Sequence, residues 1–270
     1  MRKFRSLLVS FCCVAFSIVL VACGEKSKEN QTSESTIDAT SGEITSDKST
    51  DGTTTESVTE LTTETTTAQT TSKYKVGDII TLGSYEQDND TSNGKEKIDW
   101  IILDVKDGKA LLISKYGLEH KPYNAERVKI TWENCSLREW LNNDFFDIAF
   151  DSNEKAIIQK TNITADKNRQ YVTDPGNDTE DNVFLIGADE ADKYFASDSE
   201  RMCEVTPYAL AQEVYVNEDG KSRWLLRTVG RSQYYVCVVY RSGVIYDKGS
   251  DVNGKNVVVR PSVWIDLNEY

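Results

Sequence analysis

The chain has 270 residues and a formal net charge of −13, with six cysteines and a single histidine, His120. Nucleic-acid binding requires a basic surface opposite the phosphates, so this acidic balance excludes nucleic acid as a partner. Six cysteines are too few for a disulfide scaffold of this length, and one histidine excludes a histidine-rich metal site. Composition changes sharply along the chain and divides it into three parts.

Residues 1–22 have the pattern of a secretory signal peptide. Three basic residues precede an apolar run at positions 7–21, which is about 22 Å long as a helix and shorter than the roughly 30 Å core of a bilayer. The run ends in Leu-Val-Ala-Cys-Gly, which resembles the bacterial lipobox. That resemblance implies that Cys23 becomes the first residue and carries a diacylglycerol anchor, with the protein on the extracellular face of the cell membrane. The alternative is an ordinary secreted protein with an incidental cysteine.

Residues 23–73 are predicted to be a disordered linker rich in Thr, Ser and Glu. Positions 24–73 contain 24 Ser or Thr, ten acidic residues and no aromatic residue. A segment of this composition cannot bury enough apolar surface to offset the entropy cost of ordering it. We therefore expect a tether with an average span of about 40 Å that lifts the next part of the chain away from the membrane.

Residues 74–270 contain every tryptophan and tyrosine and are predicted to form one globular domain. Asp107-Gly108 predicts a hairpin turn, and Ser136 with Glu139 predicts a capping box at the start of a helix. The predicted strands are 78–83, 98–105, 109–114, 183–186, 223–228, 234–241, 244–247 and 257–265; the predicted helices start at 136 or span 151–159, 189–195 and 207–216. Strands at both ends with helices between them favour an α+β fold over alternating βαβ units.

Several segments, in the same order, resemble an uncharacterised domain family common in Gram-positive surface proteins. They are GSYEQ (83–87), IDWIIL (98–103), LREWLN (137–142), GNDT (176–179), FL (184–185), WLLR (224–227) and VRPSVWI (259–265). The resemblance implies a C-type-lectin-like fold, distantly similar to the formylglycine-generating enzymes, and implies no activity. Where relatives commonly read Arg-Ser-Pro-Gly, this chain reads Arg-Thr-Val-Gly at 227–230, so that loop lacks the backbone angle that proline would fix.

Arginine and aromatic residues concentrate in the last fifty residues, as they do in recognition surfaces. In lectin-like folds, by resemblance, the late strands and loops build the ligand surface. We therefore predict ligand binding by Arg227, Arg231, Gln233 and Arg241. The expected ligand is a cell-surface glycan, peptide or protein. The alternative places the aromatic residues of 234–240 in the core.

Two acidic loops have the oxygen-rich composition that calcium prefers. The better candidate lies at 174–181 and offers Asp174, Asn177, Asp178 and Asp181 with a glycine for a sharp turn. The poorer candidate, at 88–94, has its glycine outside the EF-hand spacing. An ordinary Asx or glycine turn explains either loop without a metal. Calcium is the only cofactor that the sequence suggests.

Catalysis has weaker support than binding in this sequence. His120 lies in a polar stretch that predicts a solvated loop, and nucleophile–histidine chemistry has no other candidate base. The many acidic residues leave open an extracytoplasmic carboxylate-dependent hydrolase, which needs two acids about 5–10 Å apart. A structural module for envelope assembly is the third alternative.

Three cysteines belong to the domain, namely Cys135, Cys203 and Cys237. Their spacing fits neither a CxxC redox motif nor a zinc motif. We expect buried thiols, with one disulfide as the alternative outside the cytoplasm. Arg260, next to Pro261, is expected to pair with a buried carboxylate or carbonyl group.

Overall fold

Twelve strands and six short α-helices run through the residues that this computed structural model describes, 73–270. The strands are β1 (Ile79–Tyr85), β2 (Glu96–Lys106), β3 (Lys109–Ser114), β4 (Ile158–Gln159), β5 (Thr161–Ile163), β6 (Thr179–Asp181), β7 (Cys203–Glu204), β8 (Lys221–Ser222), β9 (Trp224–Val229), β10 (Tyr235–Val239), β11 (Ile245–Asp251) and β12 (Ser262–Asp266). The helices are α1 (Ser136–Trp140), α2 (Phe146–Ala149), α3 (Ser152–Ile157), α4 (Ala188–Tyr194), α5 (Asp198–Arg201) and α6 (Pro207–Ala211). A 3₁₀ turn (Trp132–Asn134) precedes α1, and a π-helical turn (Leu141–Phe145) joins α1 to α2.

The predicted signal peptide, Cys23 and the linker up to position 72 lie outside the described residues. None of the helices between 73 and 270 combines the length and the apolar character that crossing a membrane requires.

The largest sheet joins the early part of the described chain to its last strand. It has the order β1-β2-β3-β12-β4, and every neighbouring pair is antiparallel. The β2–β3 hairpin confirms the predicted turn, because Asp107 and Gly108 both have left-handed φ angles, of 53° and 74°, as the tight hairpin turn requires. Strands at both ends of a mixed, sheet-rich domain with short helices are therefore confirmed.

A second antiparallel sheet has the order β11-β10-β9 and positions the candidate site. Every residue of β9 is buried, as are four of the five residues of β10. These strands belong to the same apolar cluster as the first sheet, which includes Trp100 and Trp224. Tyr234, Tyr235 and Tyr240 are only half-buried, so these three rings lie at the border of the core rather than inside it.

The helix starts differ from the predicted caps. Cys135, not Ser136, caps α1 by accepting a hydrogen bond from the Arg138 N–H, so the predicted capping box at Ser136 is wrong. A capping box does form at α3, between Asp151 and Glu154. The helix predicted over 151–159 ends at Ile157, because the next two residues pair with β12 as β4.

One predicted strand is replaced by irregular extended chain, and a second is shortened. At 183–186 the one ladder contact is a bridge between Phe184 and Ser262. The Asn142 amide binds the N–H groups of Asn182 and Val183 and donates to the Val183 carbonyl, so these backbone groups pair with a side chain instead of a strand. The strand predicted over 257–265 begins only at Ser262.

Candidate ligand-binding site

One end of the β9–β10 pair brings two arginines together. Trp224 of β9 pairs with Val239 of β10, so the residues just outside the pair, Arg223 and Tyr240, lie next to each other. Arg241 follows in the tight turn that leads to β11. The strand register therefore places two guanidinium groups at the same end of the three-stranded sheet.

A cavity of about 510 Å³ opens at this end of the sheet. Its volume lies in the range of about 300–1,000 Å³ that is usual for small-ligand sites. The residues that line it come from the end of α5, the loop after α6, the start of β9 and the β10–β11 turn: Met202, Asn217, Asp219, Arg223, Tyr240, Arg241 and Ser242. We call it the arginine cavity.

Aromatic rings position both guanidinium groups. The Cζ atom of Arg223 lies 4.7 Å from the centre of the Tyr240 ring, and that of Arg241 lies 4.0 Å from the centre of the Tyr215 ring. Tyr240 in turn stacks on Tyr246, with 4.7 Å between ring centres and 25° between ring planes. Cation–π contacts of this kind hold a guanidinium in place without a carboxylate.

Neither arginine forms an ion pair within residues 73–270. The Nε atoms of Arg223 and Arg241 are buried without a hydrogen-bond partner, and no ion pair joins either group to a carboxylate of the described residues. Burial and then the charge of Arg223 lower the pKa of Arg241, and Tyr215 and Tyr240 oppose that effect. The arginine cavity is therefore a place where positive charge is concentrated and unmatched.

Arg227 lies away from this cavity, in the middle of β9. Its side chain is 4% exposed, and it donates to Asp166 Oδ1 at 2.8 Å and forms an ion pair with Glu190. It also donates to the Leu185 carbonyl at 3.0 Å. The prediction of Arg227 as a loop-side ligand residue is wrong, because a charge in a fully buried strand must be paired inside the protein.

Arg231 and Gln233 lie at the opposite end of β10 from Arg241. Arg231 is exposed, and its Cζ atom lies 4.0 Å from the centre of the Tyr235 ring. The Gln233 amide donates to the Asp174 carbonyl at 3.1 Å. Because β10 separates the two ends by about 17 Å, the four predicted ligand residues belong to three different places.

The predicted calcium residues also point to different partners. Asp181 is fully buried, where its carboxylate accepts from Arg138 Nε at 2.6 Å and from Trp132 Nε1 at 2.8 Å. Asp178 accepts from the Ala165 N–H at 2.8 Å. The acids of 174–181 do not form a metal-ligand cluster in the described residues. The calcium site at 174–181 stays a prediction, and the buried carboxylate of Asp181 is already paired with the partly exposed Arg138.

A different carboxylate cluster forms near the weaker of the two acidic loops. Ligand oxygens of Glu86, Asp88 and Glu96 lie within 4.8 Å of one another. Burial and then the charge of Glu96 raise the pKa of Glu86, whereas hydrogen bonds led by that from Asn93 lower the pKa of Asp88. The β1–β2 register, in which Tyr85 pairs with Glu96, brings the two chain segments together, and no sequence pattern indicated it.

A second cavity, of about 310 Å³, combines one predicted ligand residue with two predicted calcium residues. Asp174, Asn177 and Gln233 line it together with Glu133. Asn177 donates to the Glu133 carboxylate through both its backbone and its amide, and these bonds lower the pKa of Glu133. The polar groups that line this second cavity largely form hydrogen bonds with one another, in contrast to those of the arginine cavity.

His120 is not a solvated side chain, contrary to the prediction. The ring is half-buried, with Nδ1 at 2.7 Å from the Gln212 carbonyl and Nε2 against the Lys255 carbonyl. It therefore connects the segment after α6 to the loop that precedes β12. Asn217, which lines the arginine cavity, comes five residues after Gln212, so this contact holds the segment that leads into one wall of the cavity.

The interpretations of the cysteines and of Arg260 are confirmed. Cys135, Cys203 and Cys237 are buried free thiols. Arg260 is buried, its Nε donates to the Ser114 carbonyl at 2.8 Å, and its Cζ atom lies 5.1 Å from the centre of a Trp224 ring. Its hydrogen-bond partner is thus the carbonyl of the two expected alternatives.

Comparison with known proteins gives one family and no named relative. Residues 107–267, more than half of the chain, match DUF6273, a domain of unknown function. No curated protein and no solved structure matches the chain. The matched range contains the whole arginine cavity.

Proposed function

Because the chain belongs to the DUF6273 family, to which no function is attached, we propose from the site geometry that the domain recognises an extracellular ligand without chemical reaction. The ligand is a cell-surface glycan, peptide or protein, bound in the arginine cavity. In this proposal a C-type-lectin-like domain is presented on the Thr-rich linker, with a lipid anchor at Cys23 attaching it to the outer face of the membrane.

The observation that carries this proposal is the pair of unmatched guanidinium groups in a concave site. Arginine and tyrosine supply much of the binding energy in protein recognition, because they combine a large rigid contact area with several hydrogen-bond donors. Arg223 and Arg241 are already held by Tyr240 and Tyr215, so little side-chain entropy is lost when a ligand binds.

The test is a binding screen with the full-length protein on immobilised glycans and peptides, with and without calcium. We expect capture of at least one ligand class by the wild type and loss of capture when Arg223→Gln and Arg241→Gln are combined. Arg231→Gln is the matched control, because it removes an exposed, ring-stacked arginine at the other end of β10. If a ligand is still captured by the protein that carries both substitutions, recognition occurs at another surface.

A carboxylate-dependent hydrolase is the second candidate, and one observation favours it. Glu86 and Asp88 lie close together with pKa values shifted in opposite directions, as an acid and a base in one active site often do. Asp88 also lines a cavity, but that cavity measures only about 200 Å³. Hydrolysis of a glycan by the wild type, abolished by Glu86→Gln, would establish the hydrolase and remove the preference for binding alone.

A further inference from the structure

We infer that the arginine cavity binds an oxyanion, a carboxylate or a phosphate, carried by an otherwise neutral polar ligand. This inference rests on the proposed recognition function and specifies the chemistry of its ligand. The inference is based on which parts of the two guanidinium groups already contact other protein groups and which parts do not.

The faces of both guanidinium groups are used by aromatic rings. Arg223 lies over Tyr240 and Arg241 lies over Tyr215, at 4.7 Å and 4.0 Å. A guanidinium carries its five N–H donors in its plane, so stacking on a ring leaves the donor edge free. That edge matches the two oxygens of a carboxylate or phosphate in a bidentate pair.

Other arginines of this protein use the same edge to bind carboxylates. Arg169 donates to both oxygens of Asp247, at 2.8 Å and 2.9 Å, and Arg138 donates from its Nε atom to Asp181 Oδ1 at 2.6 Å. In the arginine cavity the equivalent acceptor is missing from residues 73–270, and the Nε atoms stay without a partner. A ligand oxyanion would supply that acceptor.

The closeness of the two arginines strengthens the argument. The charge of Arg223 disfavours the charged form of Arg241, which is the effect expected of neighbouring like charges. A negative group in the cavity would reduce this repulsion and could accept hydrogen bonds from the terminal N–H groups of both arginines. One oxyanion is therefore favoured by both guanidinium groups together.

The remaining lining residues favour a neutral body with a single anionic group. Asn217 and Ser242 offer amide and hydroxyl groups suited to polar ligand atoms. Asp219 is the one acid among the lining residues, and it is exposed. Its carboxylate would repel a second negative charge, so a polyanion is disfavoured.

In the experiment, the full-length protein is titrated with glucose, glucuronate and glucose 1-phosphate, and calorimetry measures the heat of binding. Glucuronate and glucose 1-phosphate separate a carboxylate from a phosphate source, and glucose is the neutral control. We expect one or both anions to bind and glucose to give no measurable heat. Arg241→Gln and Arg223→Gln should each weaken anion binding about ten- to hundredfold, since hydrogen bonds to charged groups have this strength.

Two further variants separate a lost site from a damaged fold. Arg241→Lys keeps the charge but loses the planar donor edge, and should weaken binding while leaving thermal unfolding unchanged. Arg231→Gln should bind as the wild type does. Equal binding of glucose and glucuronate, or anion binding that survives loss of both Arg223 and Arg241, would overturn the inference.

The same measurements distinguish failure of this inference from failure of the proposed function. A neutral ligand captured in the screen and lost in the arginine double variant would leave recognition at this cavity standing and refute the oxyanion. If no ligand binds in the screen or in the titrations, both the proposed function and the oxyanion inference are refuted.

Discussion

Arg227 and Arg241 differ in what surrounds them, although both come from the arginine-rich end of the chain. Arg227 is enclosed by the carboxylates of Asp166 and Glu190 and by a carbonyl. Arg241 has a ring beneath it and no carboxylate partner in the described part of the chain. The first arrangement stabilises the fold, whereas the second leaves donors for a ligand.

Substitution of Arg227 by Ala should destabilise the domain by about 3–5 kcal/mol, because it leaves two partly buried carboxylates without their partner. Arg231→Ala should change the free energy of unfolding by less than about 0.5 kcal/mol, as is usual for an exposed residue. Urea denaturation followed by tryptophan fluorescence measures both. Equal stability of the two variants would show that the Arg227 ion pairs contribute nothing.

The buried thiols give a prediction about reactivity and pH. Burial raises the pKa of Cys135 and Cys237 to about 12, above the value of about 8.5 for an unfolded thiol. The raised pKa values therefore add to the free energy of unfolding. This contribution is complete below about pH 8.5 and is lost as the pH rises toward about 12.

We accordingly expect iodoacetamide at pH 8 to leave both thiols unmodified in the folded protein and to alkylate them in urea. Mass spectrometry of the peptides that contain Cys135 and Cys237 gives the answer. Rapid alkylation of either thiol in the native protein would contradict its burial.

Among the elements, those with a strong local signal were predictable. The Asp107-Gly108 turn follows from turn chemistry, and the apolar run that comes after it forms β3 with the predicted bounds. The stretch at 183–186 was predicted from its apolar residues alone. The backbone of Val183 bonds to the side chain of Asn142, and that of Phe184 bonds to Ser262. No local pattern reports such distant partners.

The β10–β11 turn should be sensitive to one methyl group. Gly243 has a φ of +84°, and a Cβ atom there would collide with the Asp198 carbonyl, so Gly243→Ala should cost about 2 kcal/mol or more. Gly220 also has a positive φ, of +73°, but faces open space. Gly220→Ala should therefore lower the free energy of unfolding only through the strain of the left-handed backbone. Thermal unfolding of the pair separates steric collision from backbone strain.

For the molecule as a whole, sequence located the candidate site only in part. Arg241 and the aromatic neighbourhood were predicted, whereas Arg223 was missed because it precedes an apolar strand and has no motif around it. Its role depends on the Trp224–Val239 register, which sets Arg223 beside Tyr240. A register between strands is a property of the complete sheet, and the spacing of residues along one segment does not contain it.

The proposed lipid anchor gives a prediction at the same scale. We expect Cys23→Ser to move the protein from the membrane fraction to the soluble fraction, because the acyl thioether has no other attachment point. Cys12→Ser should leave anchoring intact, since Cys12 would leave with the signal peptide. Fractionation with mass spectrometry of the first residue measures both, and a wild-type protein without acyl groups would refute the anchor.

The position of β12 has a consequence for biosynthesis. β12 is the latest described strand, yet it pairs between β3 and β4, which precede it by about a hundred residues or more. At ribosomal speeds of about 5–20 residues per second, β4 and the edge of β3 that faces away from β2 lack this partner for roughly five seconds or longer. A nascent chain in this interval cannot complete its main sheet, and the open edges of β3 and β4 are exposed to mispairing with other chains.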